Sequence, residues 1–267
     1  MCMIDATTVS RRQELAAFLR VRRDTLQPQH VGLAEEPRRH VPGLRREEVA
    51  ERAGISTTWY TWLEQGREIN MSQDVLEKIG HALRMEAHEI QFMQRLRSDT
   101  APLAHIVDPQ VPDVLRGLVE THKAAPAYIA TPRFDLLVWN SFLGEFFNYD
   151  AASEPLARNI LYRLFFDRSR RKLYADWEDA ARRTVAAFRH TYSMYLGDKH
   201  FEDLLRLMRA DSNFERMWQM YEVAAPGLPP FLIRHDTIGL CELTTVQASL
   251  SIAPGCYLCV FECKRLS

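Results

Sequence analysis

Residues 53–66, AGISTTWYTWLEQG, set Trp59, Tyr60 and Trp62 within four positions of a polar segment bounded by Gly54 and Gly66. Ser56 is a good helix N-cap, and Gly66 stands where a helix C-terminus favours glycine, so a short helix is expected between them. With about 100° between successive residues, Tyr60 and Leu63 share one side of that helix. Thr58, Thr61, Trp62 and Gln65 share the other, with Thr57 and Trp59 at the borders. A tryptophan on the polar face of a short helix has no core to fill and is a side chain for contact with something else.

Upstream, a helix starting near Leu44 carries Glu47 and Glu48 in its first turn, where the helix dipole favours negative charge. Glu48 is spaced to pair with Arg52, and Gly54 stops the helix. Its Val49, Ala50 and Ala53 form an apolar stripe whose small residues let the next helix cross closely. Ser10 and Gln13 read as a capping box for an earlier helix continued by Leu15, Phe18, Leu19, Arg22 and Leu26. The stretch QPQHVGLAEEPRRHVPGL is too rich in proline and glycine for a helix and is expected as a surface loop. Ser72 to Leu83 and Met85 to Leu96 supply two further helices.

Two helices joined by a glycine turn, with alanines at the crossing and a polar outer face on the second, describe a helix-turn-helix. LRREEVAERAGISTTWYTWLEQGREINMSQDVLEKIGHAL, residues 44–83, resembles the five-helix DNA-binding domain of the Cro and lambda-repressor type, the XRE family. That resemblance implies an all-α domain bound to double-stranded DNA. It carries the base-contacting face onto Thr57, Thr58, Trp59 and Trp62, with Thr61 on the same side, and phosphate contacts onto Arg46, Gln65 and Arg67. Threonine and tryptophan stand where bidentate groups are frequent, which favours contact with thymine methyls and sugars over guanine forks. Arg11, Arg12, Arg20, Arg22, Arg23, Arg38, Arg39, Arg45 and Arg46 outnumber the acids around them, which suits a phosphate-gripping face.

A chain of 267 residues is comfortable for two domains. Its 46% hydrophobic and 26% charged residues are those of a water-soluble fold, and the net charge of −1 argues against a protein coated in basic charge. No apolar run approaches the roughly 20 residues a bilayer requires, and no membrane partner is expected. The N-terminus lacks the order of a secretory signal, so a cytoplasmic location with reduced cysteines is expected; the resemblance implies a bacterial cytoplasm, on the nucleoid when bound to DNA. The expected domains are 10–98 and 111–267, with SDTAPLAHIVDPQVP supplying a linker at 99–110.

The second domain reads as a helix from Val111 to Lys123, two short strands around a turn at Pro132 and Arg133, and a helix holding Phe142, Phe146 and Phe147. Asp176 then caps a long helix with an apolar stripe of Ala181, Val185, Phe188, Tyr192 and Tyr195. Ser212 and Glu215 read as a capping box, and three antiparallel strands close the chain. This is an α+β unit, an antiparallel sheet packed against a helical layer. The segments LVWN, ARNILYRLFFD, LYADWEDAARRTVAAFR and FERMWQMYEV resemble those of the MmyB-like transcription regulators. The resemblance implies a PAS-like C-terminal domain with a regulatory role and a pocket for a fatty acid or similar small apolar ligand. Trp139, Phe142, Phe146, Tyr162, Phe165, Phe166, Trp177, Phe188 and Tyr192 are the expected pocket residues, because they cluster where the sheet should face helices. Arg163, Arg189, His190 and His235 are candidates for an acidic head group. The same aromatics could instead fill a core, leaving a ligand-free dimerisation or docking module.

Cys256, Cys259 and Cys263 are spaced C-x2-C-x3-C, but on a strand the first two face opposite ways, so no metal is expected. There is no phosphate loop, G-x-S-x-G or H-E-x-x-H, so no catalytic residue or cofactor is expected. The expectation is a homodimeric DNA-binding regulator, with two recognition helices about 34 Å apart.

Overall fold

A computed structural model describes residues 6–34, 39, 41–97, 109–150, 154–225, 230–236 and 239–266. The chain divides into two compact units, residues 1–102 and 103–267. Most of the expected linker at 99–110 lies outside the described residues, as does Arg38.

In the first unit the α-helices are α1 (Ala6–Thr25), α2 (Arg46–Ala53), α3 (Thr57–Glu64), α4 (Gln73–Ala82) and α5 (Ala87–Arg97), with a 3-10 turn at Pro28–Val31. α1 begins four residues before Ser10, so the expected capping box there is not a helix start. The later punctuation does follow the local rules. Gly54 ends α2 in the left-handed conformation (φ 66°), which a Cβ would strain, and its N–H reaches the Ala50 carbonyl. Two residues on, the Ser56 hydroxyl accepts from the Trp59 amide at 3.1 Å and starts α3. Val49, Ala50 and Ala53 are buried, as are Tyr60 and Leu63. α3 thereby packs on both α1 and α2.

A buried carboxylate fixes that packing. Glu64, on α3 and fully buried, accepts from Arg23 Nε at 2.6 Å, Arg23 Nη2 at 3.2 Å and Arg46 Nε at 2.7 Å. Arg23 also donates to the Leu44 carbonyl at 2.8 Å, so one arginine of α1 ties α3 to the entrance of α2. Burial pushes the Glu64 carboxyl up, but the two guanidinium groups outweigh it and hold the acid below its ordinary range. The expected Glu48–Arg52 pair does not form. Glu48 instead accepts from Arg39 at 2.8 Å and from the Arg45 backbone at 2.6 Å, while Arg52 reaches the Val31 carbonyl at 3.0 Å. A bidentate arginine arriving from the loop outcompetes a solvated pair along one helix face.

The second unit begins with α6 (Asp113–Thr121), β1 (Ala127–Ala130), β2 (Leu136–Trp139) and α7 (Ser141–Phe147). It continues through α8 (Ile160–Phe166), α9 (Arg168–Arg171), α10 (Trp177–Tyr192), α11 (Lys199–Met208) and α12 (Ser212–Trp218) to β3 (Phe231–His235), β4 (Gly239–Ser249) and β5 (Tyr257–Arg265). The strands form one antiparallel sheet in the order β2-β1-β5-β4-β3, with the two chain-terminal segments of the domain meeting at its centre. This is the expected α+β, PAS-like architecture. Asn140 locks its first corner: Oδ1 caps α7 through the Leu143 amide (2.9 Å) and accepts from the Ala127 amide of β1 (3.1 Å).

The period of two along each strand sorts side chains onto two faces. Tyr128, Ala130, Tyr257, Cys259, Cys241 and Leu243 share a core with α7. Ala127, Ile129 and Val138 lie on the opposite face, under Leu115 and Val119 of α6. The sheet is therefore flanked on both faces, where a single helical layer was expected. Asp176 caps α10 as expected. α12, however, is capped by Asp211, which accepts from the Asn213 and Phe214 amides, while Glu215 pairs with Arg209 at 2.7 Å. An aspartate one residue upstream of Ser212 reaches the same orphan amides with a full charge.

Candidate functional site

On the outer side of α3, Thr57, Thr58, Gln65 and the following Arg67 are exposed, and Thr61 is half-buried. Trp62 keeps 39% of its surface in contact with solvent, with the Arg67 guanidinium 5.9 Å from its ring centre. A buried Tyr60 and an exposed Trp62 two positions apart follow directly from the helical period. The Thr61 hydroxyl donates to the Thr57 carbonyl at 2.8 Å, so its methyl is the free group. Trp59 sits in a shallow groove with Ile55, Asn70 and Val75, half-buried at the border of α3 and α4. Arg46 spends Nε on Glu64, and its two Nη groups have no partner among the described residues.

The wider arginine cluster is not a free basic face. Arg22 pairs with Glu89, Arg23 with Glu64, Arg39 with Glu48 and Arg12 with Glu68. These arginines are tied down within the fold, and three of the four meet an acid 41 or more residues along the chain. Sequence spacing gave no sign of those partners.

In the second unit, a cavity of about 610 Å³ lies between the sheet and α10. Its helical wall includes Thr184, Ala187 and Thr191, and its sheet wall includes Thr245 and Gln247 of β4 beside Tyr128 and Tyr257. None of the nine expected pocket residues lines it. Phe188 and Tyr192 pack 6.1 Å apart with Trp218 beside them; Phe165 lies 5.6 Å from Trp177 and 5.3 Å from Phe214. Phe142 stacks on Phe146, which stacks on His235 at 4.4 Å. Trp139 meets Tyr149, and Tyr162 stacks on Phe166, which is 40% exposed. The cavity is walled by other rings, among them Phe134, Phe147, Tyr174 and Phe231, and on α10 it opens over small side chains. On α10 the cavity stripe of residues 184, 187 and 191 stands one residue back from the buried stripe of 185, 188 and 192, a rotation of about 100°.

Of the head-group candidates, His190 lines the cavity. Arg163 is engaged by Asp167, Arg189 donates to the Trp218 carbonyl, and His235 stacks on Phe146. The wall instead contains a cation the sequence reading missed, Arg170, together with Tyr174. Arg170 stands in RSRRK, residues 168–172, where four of five residues are basic and only the fold turns it inward.

Burial pushes the Tyr128 and Tyr257 phenols well above their ordinary value and the Cys259 thiol up to about 11, so these groups are neutral at physiological pH. Cys259 belongs to the core shared with α7, whereas Cys256, which precedes β5 and was expected on a strand, packs in the core under α6 and also lines the cavity. Among the described residues no three of histidine, cysteine, aspartate and glutamate are grouped to hold a metal ion. No described helix is long and apolar enough to cross a membrane.

Residues 14–92 match the sequence family described as a helix-turn-helix domain, which makes the first unit that of a DNA-binding protein. Residues 111–265, more than half the chain, match the family described as the MmyB-like transcription regulator ligand binding domain, and the chain belongs to that family. No curated protein matches it. The protein is a DNA-binding transcription regulator that carries a ligand-binding domain.

Proposed function

We propose that the protein reads specific operators with the outer face of α3 and holds a fatty acid in the cavity of its second unit, as a homodimer whose operator affinity the ligand changes. The observation that carries the ligand reading is the cavity itself. Its volume of about 610 Å³ falls within the range of small-molecule sites, and much of its wall is aliphatic and aromatic. Burying an acyl chain stabilises a complex by about 0.8 kcal/mol per CH₂, so a chain of roughly a dozen methylenes contributes on the order of 10 kcal/mol before ordering costs.

On the DNA side, Thr57, Thr58, Trp59, Thr61 and Trp62 present methyl groups and indole surface to base edges and sugars, and Gln65, Arg67 and the free Nη groups of Arg46 meet phosphates. A two-fold dimer would set two such helices about one DNA turn apart, and a ligand that prefers one spacing would shift operator affinity. Mass spectrometry of the native protein as purified tests the ligand reading. A stoichiometric mass of a long-chain acid, released by organic solvent, is expected.

A second reading has its own support. Val114 and Leu118 of α6 are 70% and 54% exposed, and Val246 of β4 is 67% exposed. An apolar surface of this kind suits a dimerisation or docking module whose cavity stays empty. A ligand-free native mass, unchanged after incubation with tetradecanoate, favours that reading over the first.

A further inference from the structure

Cys241 on β4 and Cys263 on β5 share one face of the sheet. The register pairs Cys241 with Arg265 and Leu243 with Cys263, so the two cysteines are diagonal neighbours on adjacent strands. Their thiols are close enough to hydrogen-bond to each other. Cys241 is fully buried, whereas Cys263 is half-buried near the end of β5 and gives the pair its access to solvent. Diagonal Cα atoms on antiparallel strands stand about 7–8 Å apart, beyond the roughly 4.4–6.8 Å that a disulfide spans without backbone movement. Two thiolates on opposite sides of one soft metal ion stand about 4.6 Å apart, which needs only a small movement from thiol contact. Arg265, opposite Cys241 and two residues from Cys263, places a positive charge that acts on the Cys263 thiol. His235 lies on the side of Cys241 away from Cys263 and stacks on Phe146. Cys259 shares the face but is four residues from Cys263, about 13 Å along the strand.

We propose that Cys241 and Cys263 form a two-coordinate site for a soft monovalent metal ion of the copper(I) class, with Arg265 balancing the single negative charge of the metal bis-thiolate. The site depends on neither the operator reading nor the ligand reading of the cavity. Binding exchanges two S–H bonds for two sulfur–metal bonds; both protons leave to solvent and no electron is transferred. Burial, with the Cys241 thiol adding to it, pushes Cys263 up to about 11, so at neutral pH the ion must displace a proton there. Zinc is the wrong ion for this pair, because a closed zinc site takes four ligands and no described group of three or more histidine, cysteine, aspartate and glutamate residues is placed to hold it. Soft thiolate ligands instead select copper(I). A bound ion clips β4 to β5 beside the last turn of the chain's backbone that the sheet holds.

The test titrates the reduced full-length protein with copper(I) in the absence of oxygen, against a chromophoric copper(I) chelator. One ion per chain is expected, with an affinity that falls at least about tenfold for each pH unit lost between pH 8 and pH 6 as protons compete. Zinc(II) should bind at least about a hundredfold more weakly. Cys263→Ser should lower copper(I) affinity by about a hundredfold or more, Cys2→Ser should leave it unchanged, and Arg265→Gln should weaken it by about two- to fivefold, the scale of an exposed charge pair. A readout on the wild type alone needs no folded variant: stoichiometric copper(I) should slow alkylation of Cys263 at least about tenfold, as peptide mapping reads it. Copper(I) bound as tightly after Cys263→Ser, an affinity indifferent to pH, or zinc held as tightly as copper(I) would each overturn the site. So would a protein that takes up no copper(I) but loses two mass units to hydrogen peroxide through a Cys241–Cys263 disulfide, since the pair would then be an oxidation site instead.

Discussion

Glu64→Gln keeps the shape of the side chain that joins α1, α2 and α3 and removes its charge. The wild-type carboxylate is fully buried and takes three charge-assisted hydrogen bonds, two from Arg23 and one from Arg46. Arg23 is itself buried, and the variant leaves it the half-exposed Asp24 at 2.7 Å in place of the buried carboxylate. Breaking a buried pair from one side typically costs about 3–5 kcal/mol, a large part of the roughly 5–15 kcal/mol that holds a domain together. Amide exchange across residues 57–65, followed by mass spectrometry on the full chain, reads this locally. Protection should fall by roughly two to three and a half decades, since about 1.4 kcal/mol is tenfold. Glu64 titrates below its ordinary value of 4.5 in the folded state, so its stabilisation is complete above that pH and is lost as pH falls through the depressed value. The gap between wild type and variant should therefore narrow below about pH 4.5. A double change with Arg23→Met should recover part of the loss. A fall in protection of less than about fivefold at neutral pH would refute the assignment of α3's anchorage to this network.

Trp62→Ala should leave stability within about 1 kcal/mol, because the ring is exposed, while flattening discrimination among operators by about 1–3 kcal/mol; competition binding against selected and scrambled duplexes reads both effects. Arg67→Ala should weaken binding to all duplexes alike and reduce the salt slope by about one. Ala187→Phe should fill the cavity from α10, abolishing tetradecanoate binding with little change or a gain in melting temperature; a loss of about 1–3 kcal/mol would mean the space is already packed. Asp167 is pushed down to about 2, as the Ser169 hydroxyl and Arg163 outweigh its partial burial. Asp167→Ala should therefore be destabilised relative to wild type above pH 3.8, and the difference should vanish as pH falls through about 2; a constant difference across that window would assign the loss to packing rather than charge.

What the sequence made legible was local or periodic. Gly54, Ser56 and Gly66 punctuate α2 and α3 through rules acting over four residues, and the wheel separates buried Tyr60 from exposed Trp62. The closing strands follow from their branched and aromatic runs. Partnerships across long separations were not legible: Arg23 and Glu64 stand 41 residues apart, and Arg39 took the acid that Arg52 was expected to hold. The cavity was the harder case, because a cavity is specified by what is missing. Phe188 and Tyr192 announce themselves in a sequence, yet they fill the core; Thr184, Ala187 and Thr191, one residue back on the same helix, leave the space. Arg170 was hidden for a related reason, since nothing local distinguishes it from the solvated Arg168 two positions before it.

Coupling between the two units is the claim most worth measuring. Operator affinity of the full-length protein, titrated once stripped of lipid and once saturated with tetradecanoate, should differ by about tenfold or more, and operator should shift tetradecanoate affinity by the same factor. Superimposable operator isotherms with a cavity shown to be filled would contradict the account.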